Sequence, residues 1–380
     1  MLIGFFDNIP PLLYRTIYYI LLIGLCLFIS LSNLHKDSNK LITNSNFVTN
    51  TLAIILSIFI TVFIGLRPVS GPAFIDMYLY NFSYENVITD YVSIDFNEEW
   101  LWHNFTFFCK DIGMSNREYF LSVAIIYYGL MAITCWKLMR RNFLLAVLFC
   151  FVSFSCFSYG TNGIRNGMAC SILMFAISLL DGFNWKVIIS ISLMFIAMSI
   201  HRSTMLPAFC SIIAILLIKK PQYALYFWVL SIFISLVLGE QVTQFFSSLG
   251  FDDRMEQYAN LDEMGETIET SEYNVGFRWD FLIYSMMPIV MFWYVTTKRN
   301  FKDKLYNIIA ITYTLANAFW VMVIRSNQSN RFAYLSWFLY PIVIAYPLIR
   351  MNIWEDQDKK TAIILLAYAG FTFFMNFIYT

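Results

Sequence analysis

Of 380 residues, 59% are hydrophobic and only 13% charged, roughly half the charged share of an ordinary soluble domain, which excludes a soluble globular enzyme. The 25 basic and 25 acidic residues cancel, and no nucleic acid is expected as a partner. Seven cysteines give no disulfide framework, because six (Cys26, Cys135, Cys150, Cys156, Cys170, Cys210) fall in apolar runs and Cys109 alone falls in a connecting loop. His35, His103 and His201 are scattered, and CxxC and HExxH are both absent, so neither a metal nor another cofactor is expected.

A spanning helix needs about 20 mostly apolar residues. Segments of that kind run over 12–32, 50–66, 118–136, 143–160, 164–180, 187–200, 204–218, 222–239, 279–297, 305–324, 332–349 and 361–379. They predict an all-α integral membrane protein, a polytopic bundle of about twelve transmembrane helices forming one domain over 1–380. The run from 164 to 218 is crowded, and 204–218 is open to being partly re-entrant. The first segment reads as a retained spanning helix. Asp7 stands where a signal peptide would carry positive charge, and no small-residue cleavage site follows.

Two connections are longer than a link requires. Residues 67–117 are rich in aromatics and acids and predict an interfacial helix near 98–112, whose tryptophans and phenylalanines suit the membrane boundary. Residues 240–278 are strongly acidic and predict a short amphipathic helix followed by a polar stretch. The remaining connections are short. They carry 15 basic and 6 acidic residues, against 10 and 19 on the other side. Basic loops face the cytoplasm, so both termini and both long loops are expected outside.

Arginine is distributed unusually. Arg15, Arg67, Arg117, Arg165, Arg202, Arg254, Arg278, Arg325 and Arg331 fall on the expected outer side, joined there by a single lysine, Lys110. Arginine's planar fork grips phosphate and carboxylate at two points, whereas lysine is a point charge. The spanning segments hold essentially no charge in their middle thirds, where coupled carriers keep theirs. A site for an anionic head group at the outer surface is therefore expected.

Five arginine-bearing helix ends form the candidate site. Gly65-Leu66-Arg67-Pro68 is followed by Asp76 and Tyr80, tools for holding sugar hydroxyls, although Asp76 pairing with Arg67 would account for both. Gly163-Ile164-Arg165-Asn166-Gly167 opens a helix, where free amides and the dipole attract anions and glycines allow close approach; an arginine that merely anchors the helix is the competing account. His201-Arg202-Ser203 closes the next helix, with His201 placed to take a proton or simply to bond a neighbouring carbonyl. Arg278 with Asp280, and Arg325 with Arg331 around an Asn/Ser-rich turn, complete the set.

The GLR at 65–67 with Asp76 and Tyr80, the IRNGMA at 164–169, the His201-Arg202-Ser203 and the NRFAY at 330–334 together resemble the EpsG-like branch of the Wzy-type polysaccharide polymerases, over about 60–345. Asn166 departs from the glutamine of the pattern, and Arg202 intervenes after the histidine. The resemblance implies a C-type integral glycosyltransferase in a bacterial cytoplasmic membrane, acting on a polyprenyl-diphosphate-linked oligosaccharide. It implies transfer of a glycan from one lipid diphosphate to the non-reducing end of another repeat unit outside the membrane, in company with a chain-length regulator and other export proteins. Under it, Arg165 with Arg278 or Arg331 meets the diphosphate and His201 the acceptor hydroxyl. Arg67, Tyr80, Arg202, Asp280 and Arg325 contact substrate, and Asp76, Glu98, Glu99 and Asp280 are alternative bases. An O-antigen ligase-like transferase would use the same arginines. A lipid-linked oligosaccharide flippase predicts charges within the bilayer and an internal repeat, and a non-enzymatic scaffold gives no reason for the arginines.

Overall fold

The computed structural model describes residues 6–34, 47–87, 96, 98–181, 185–248, 277–325 and 329–379, and these residues form helices joined by turns and irregular stretches, with no strand among them. The first nine helices are α1 Leu13–Leu34, α2 Phe47–Gly65, α3 Ile75–Glu85, α4 Trp100–Asp111, α5 Asn116–Met139, α6 Phe143–Phe151, α7 Cys156–Thr161, α8 Ile164–Ile177 and α9 Trp185–Ile200. There follow α10 Met205–Leu217, α11 Gln222–Ser248, α12 Trp279–Trp293, α13 Lys304–Met322, α14 Ser329–Trp337, α15 Tyr340–Arg350 and α16 Gln357–Phe377. The chain forms two compact units, the first made of residues up to His201 together with 345–380, the second of Arg202–Ile344.

Eight stretches among the described residues are long and apolar enough to cross a membrane, rather than the expected twelve. The difference lies between 143 and 218. The segment 143–160 is not one helix: α6 stops at Phe151, and α7 begins only at Cys156. Helices α8, α9 and α10 have 14, 16 and 13 residues. At 1.5 Å per residue each falls short of the roughly 30 Å of a hydrocarbon core. The crowding of apolar segments was visible in the sequence; their shortness is its structural consequence. The loop 67–117 holds two short helices where one was expected. Helix α4 stands where the interfacial helix was expected, and α3 precedes it. Helix α11 bends at Leu238, whose backbone is non-helical, and continues to Ser248. The amphipathic helix expected after that point lies outside the described residues.

In the first unit α2 and α8 both pack on α5, α9 packs on α8, and α16 packs on α1. Helix α5 is started by a capping box: Ser115 accepts from the amide of Glu118, whose carboxylate accepts from the amide of Ser115. From Arg117 to Lys137, α5 advances about 30 Å, one bilayer core. At its far end Lys137 Nζ donates to the carbonyl of Ser178 (2.5 Å) and, with Lys186, flanks Asp181. In the first unit Lys137 and Lys186 thus lie at one end of α5 and Arg117 at the other.

In the second unit the nearly fully buried α13 contacts α10, α11, α12 and α14. Apolar attraction between helices is weak in lipid, so polar contacts and packing do the joining. Trp228 Nε1 of α11 donates to Asn317 Oδ1 of α13 (2.8 Å), and Asn317 Nδ2 donates to Ser336 Oγ of α14 (3.0 Å). Trp337 Nε1 donates to Ser285 Oγ of α12 (2.6 Å).

Candidate functional site

Three helix ends of the first unit meet at the arginine end. Helix α8 opens with Gly163 at its N-cap, which puts Arg165 in the first turn. Helix α9 closes with the amide of His201 still donating to the Ala197 carbonyl (2.9 Å). Glu99 occupies the N-cap position of α4 without capping it through its side chain, and α4 packs against α9. The Glu99 carboxylate joins the other two. Oε2 pairs with Arg165 Nη1, and Oε1 lies 2.5 Å from His201 Nδ1. The three side chains are only 14–19% exposed. A carboxylate facing Nδ1 favours the imidazole tautomer protonated there, with Nε2 as the basic nitrogen.

Arg165 and His201, paired from the sequence only by adjacency of hairpins, are therefore in one cluster. Glu99 had been an alternative base beside Glu98, Asp76 and Asp280. The structure makes it the residue that couples the other two, while Glu98 is exposed. The acid pair at the mouth of an aromatic helix was the available signal. Nothing in it says which acid turns inward.

Arg67 is placed differently from its reading as a substrate contact. It is 1% exposed, and both of its terminal nitrogens bond the protein itself. Nη1 donates to the Ile64 carbonyl and Nη2 to the Thr161 carbonyl, both at 2.7 Å. Those carbonyls lie at the C-terminal ends of α2 and α7, where the dipoles leave partial negative charge. The guanidinium is also flanked by the rings of Phe74 and Phe120 at 5.3 and 5.5 Å. Burial pulls its pKa down to about 10, which leaves it a cation at neutral pH. Arg117 acts similarly, donating to the Leu66 carbonyl (2.6 Å) and pairing with Asp7.

The glycines around Arg165 also serve packing. A Cβ on Gly160 would collide with the Tyr128 hydroxyl, and one on Gly167 with the Tyr159 carbonyl. One on Gly163 would come within 2.8 Å of the Tyr159 ring. Close approach is required of them, but by the protein's own tyrosines.

Asp76 and Tyr80 share a stripe of α3, with the Tyr80 ring 5.6 Å from that of Trp102. Both are half-buried. The remaining candidates belong to the second unit. Arg202 is exposed in a 3₁₀ turn. Arg278 is committed to Asp280 by two hydrogen bonds (3.0 and 2.6 Å) and lies 3.9 Å above the Phe281 ring. Arg325 is exposed, its Cδ 3.3 Å from where a Cβ on Gly239 would stand, and Arg331 is half-buried in the first turn of α14. Arg254 lies outside the described residues. Among the described residues no cluster of three His, Cys, Asp or Glu could hold a metal ion.

No curated protein and no solved structure matches the chain. The family model described as the EpsG family matches residues 50–380, a stretch that contains Glu99, Arg165, His201 and every arginine named above except Arg15. A helical membrane chain matched over that length belongs to the EpsG family, a Wzy-like family related to the polysaccharide polymerases.

Proposed function

We propose that this protein is an integral-membrane glycosyltransferase that polymerises lipid-linked oligosaccharide repeat units on the outer side of a bacterial cytoplasmic membrane. The observation that carries the reading is the meeting of an anion-binding arginine and a basic imidazole on one carboxylate, Glu99. In this reaction the acceptor hydroxyl attacks the anomeric carbon of the donor glycan. The C–O bond to the diphosphate breaks, and the polyprenyl diphosphate leaves with its electron pair. Two demands follow: the leaving group gains negative charge and the hydroxyl loses a proton. Arg165, at the positive end of α8, meets the first. His201 Nε2 meets the second, with Nδ1 held by Glu99. Asp76 and Tyr80 are assigned to the glycan. Arg202, Arg278, Arg325 and Arg331 remain assigned to substrate, Arg278 through exchange with its Asp280 partner. The proposed partners are the polyprenyl-diphosphate-linked oligosaccharide, a chain-length regulator and other export proteins.

A deletion strain complemented with variants tests the reading. Loss of long surface chains, with single repeat units still reaching the surface, identifies a polymerase; repeat units trapped inside would identify a flippase and overturn it. Arg165→Ala is expected to lower polymerisation by about 10²-fold or more, the usual cost of one transition-state donor. Arg165→Lys should be nearly as damaging, because the two-point contact is lost either way. Full activity in both removes Arg165 from the reaction.

A further inference from the structure

An arginine assigned to a diphosphate is already holding an anion. Arg165 is engaged by Glu99 Oε2, and the same carboxylate's Oε1 is 2.5 Å from His201 Nδ1. We propose that Glu99 is an internal stand-in for the donor's phosphate: the incoming diphosphate displaces it from Arg165, and the released carboxylate keeps its contact with His201. This rests on the transfer reading given above and adds to it a coupling between donor binding and the base.

Three features support the exchange. A guanidinium fork accepts carboxylate and phosphate in the same geometry, so Glu99 and the donor compete for one binding face. The two ends of the ion pair differ in freedom. Arg165 is fixed in the first turn of a 14-residue helix packed on α5, α7 and α9, whereas Glu99 sits at the turn before α4 and its side chain caps nothing. The carboxylate can therefore withdraw without unwinding a helix. Each oxygen of Glu99 also has its own partner, so giving up Arg165 leaves the contact to His201 intact.

The electrostatic consequence is directional. In the resting cluster the charge of Glu99 is divided between a cation and an imidazole. When a diphosphate takes over Arg165, the carboxylate is left to orient the imidazole through Nδ1. Donor binding thus prepares the base for the acceptor hydroxyl, and an unoccupied site keeps both groups quiet.

Glu99→Gln tests this, since glutamine keeps size and hydrogen bonding but not charge. The purified full-length protein in detergent would be titrated with a polyprenyl diphosphate, and with a polyprenyl alcohol of equal chain length as the uncharged control. The expected result is tighter diphosphate binding by about tenfold, equivalent to about 1.4 kcal/mol, with alcohol binding unchanged. Donor KM should fall while kcat drops, because the imidazole loses its anion. Unchanged or weaker diphosphate binding in Glu99→Gln, with an unaltered melting temperature, overturns the exchange. If Arg165→Ala binds diphosphate as well as the wild type, the assignment of Arg165 to the donor falls instead. A loss in Arg165→Ala without a gain in Glu99→Gln therefore rejects only the exchange.

Discussion

Arg67 is a buried cation held by backbone carbonyls and aromatic rings. A fully buried charge is costly unless its surroundings supply the missing solvation. Here two helix C-terminal carbonyls and two aromatic faces do so. The Thr161 carbonyl lies four residues before Arg165, so Arg67 fixes the segment that leads into α8. Arg67→Met would orphan two buried acceptors, at about 1–3 kcal/mol each. Arg67→Lys should recover little, since an ammonium cannot span both carbonyls while lying flat between two rings. Thermal unfolding in detergent checks this: both variants should melt well below the wild type. A normal melting temperature with lost activity would return Arg67 to the substrate. In the sequence, an arginine after Gly-Leu at a helix end looks the same whether it faces a ligand or the core. Residue type and position were legible there, and side-chain direction was not.

Helix α8 shows the same division at the scale of an element. Its start at Ile164 and the place of Arg165 in its first turn were readable from Gly163 and the apolar run that follows. The reason for the glycines was not, because it lies in Tyr128, far back in the chain, and in Tyr159. Gly167→Ala would drive a methyl into the Tyr159 carbonyl, and since backbone cannot step aside cheaply, the first turn of α8 must shift. The expected cost is about 1–3 kcal/mol of overpacking, with a loss of polymerisation because Arg165 moves with the turn. Gly129→Ala in α5 is the control. A Cβ there meets nothing within 4 Å, and alanine should be neutral or stabilising by about 0.5–1 kcal/mol. Equal effects at the two positions, measured by melting temperature and chain length, would mean that packing does not set the register of α8. The expected count of about twelve crossings is not confirmed for a related reason. Hydropathy marks each apolar run between 143 and 218, but whether a helix stops after 9 or 14 residues depends on neighbours that a local reading does not contain.

At the scale of the molecule, the first unit has a polar order of its own. Arg67, Arg117, Arg165 and His201 lie at one end, Lys137 and Lys186 about one bilayer core away along α5. Lysine-rich ends face the cytoplasm, so the Glu99–Arg165–His201 cluster should open to the outside, the side on which the proposed polymerisation takes place. The chain supplies its own silent background for a test, since all seven cysteines are free and buried. A membrane-impermeant maleimide should leave the wild type unlabelled in intact cells. Glu98→Cys, at an exposed position beside the cluster, should be labelled without permeabilisation. Lys186→Cys, at the lysine end, should be labelled only after the membrane is opened. The reverse pattern would put the cluster on the cytoplasmic side. The transfer would then have to occur before the glycan crosses the membrane, and the outer-surface polymerase reading would fail even if Arg165 and His201 proved essential.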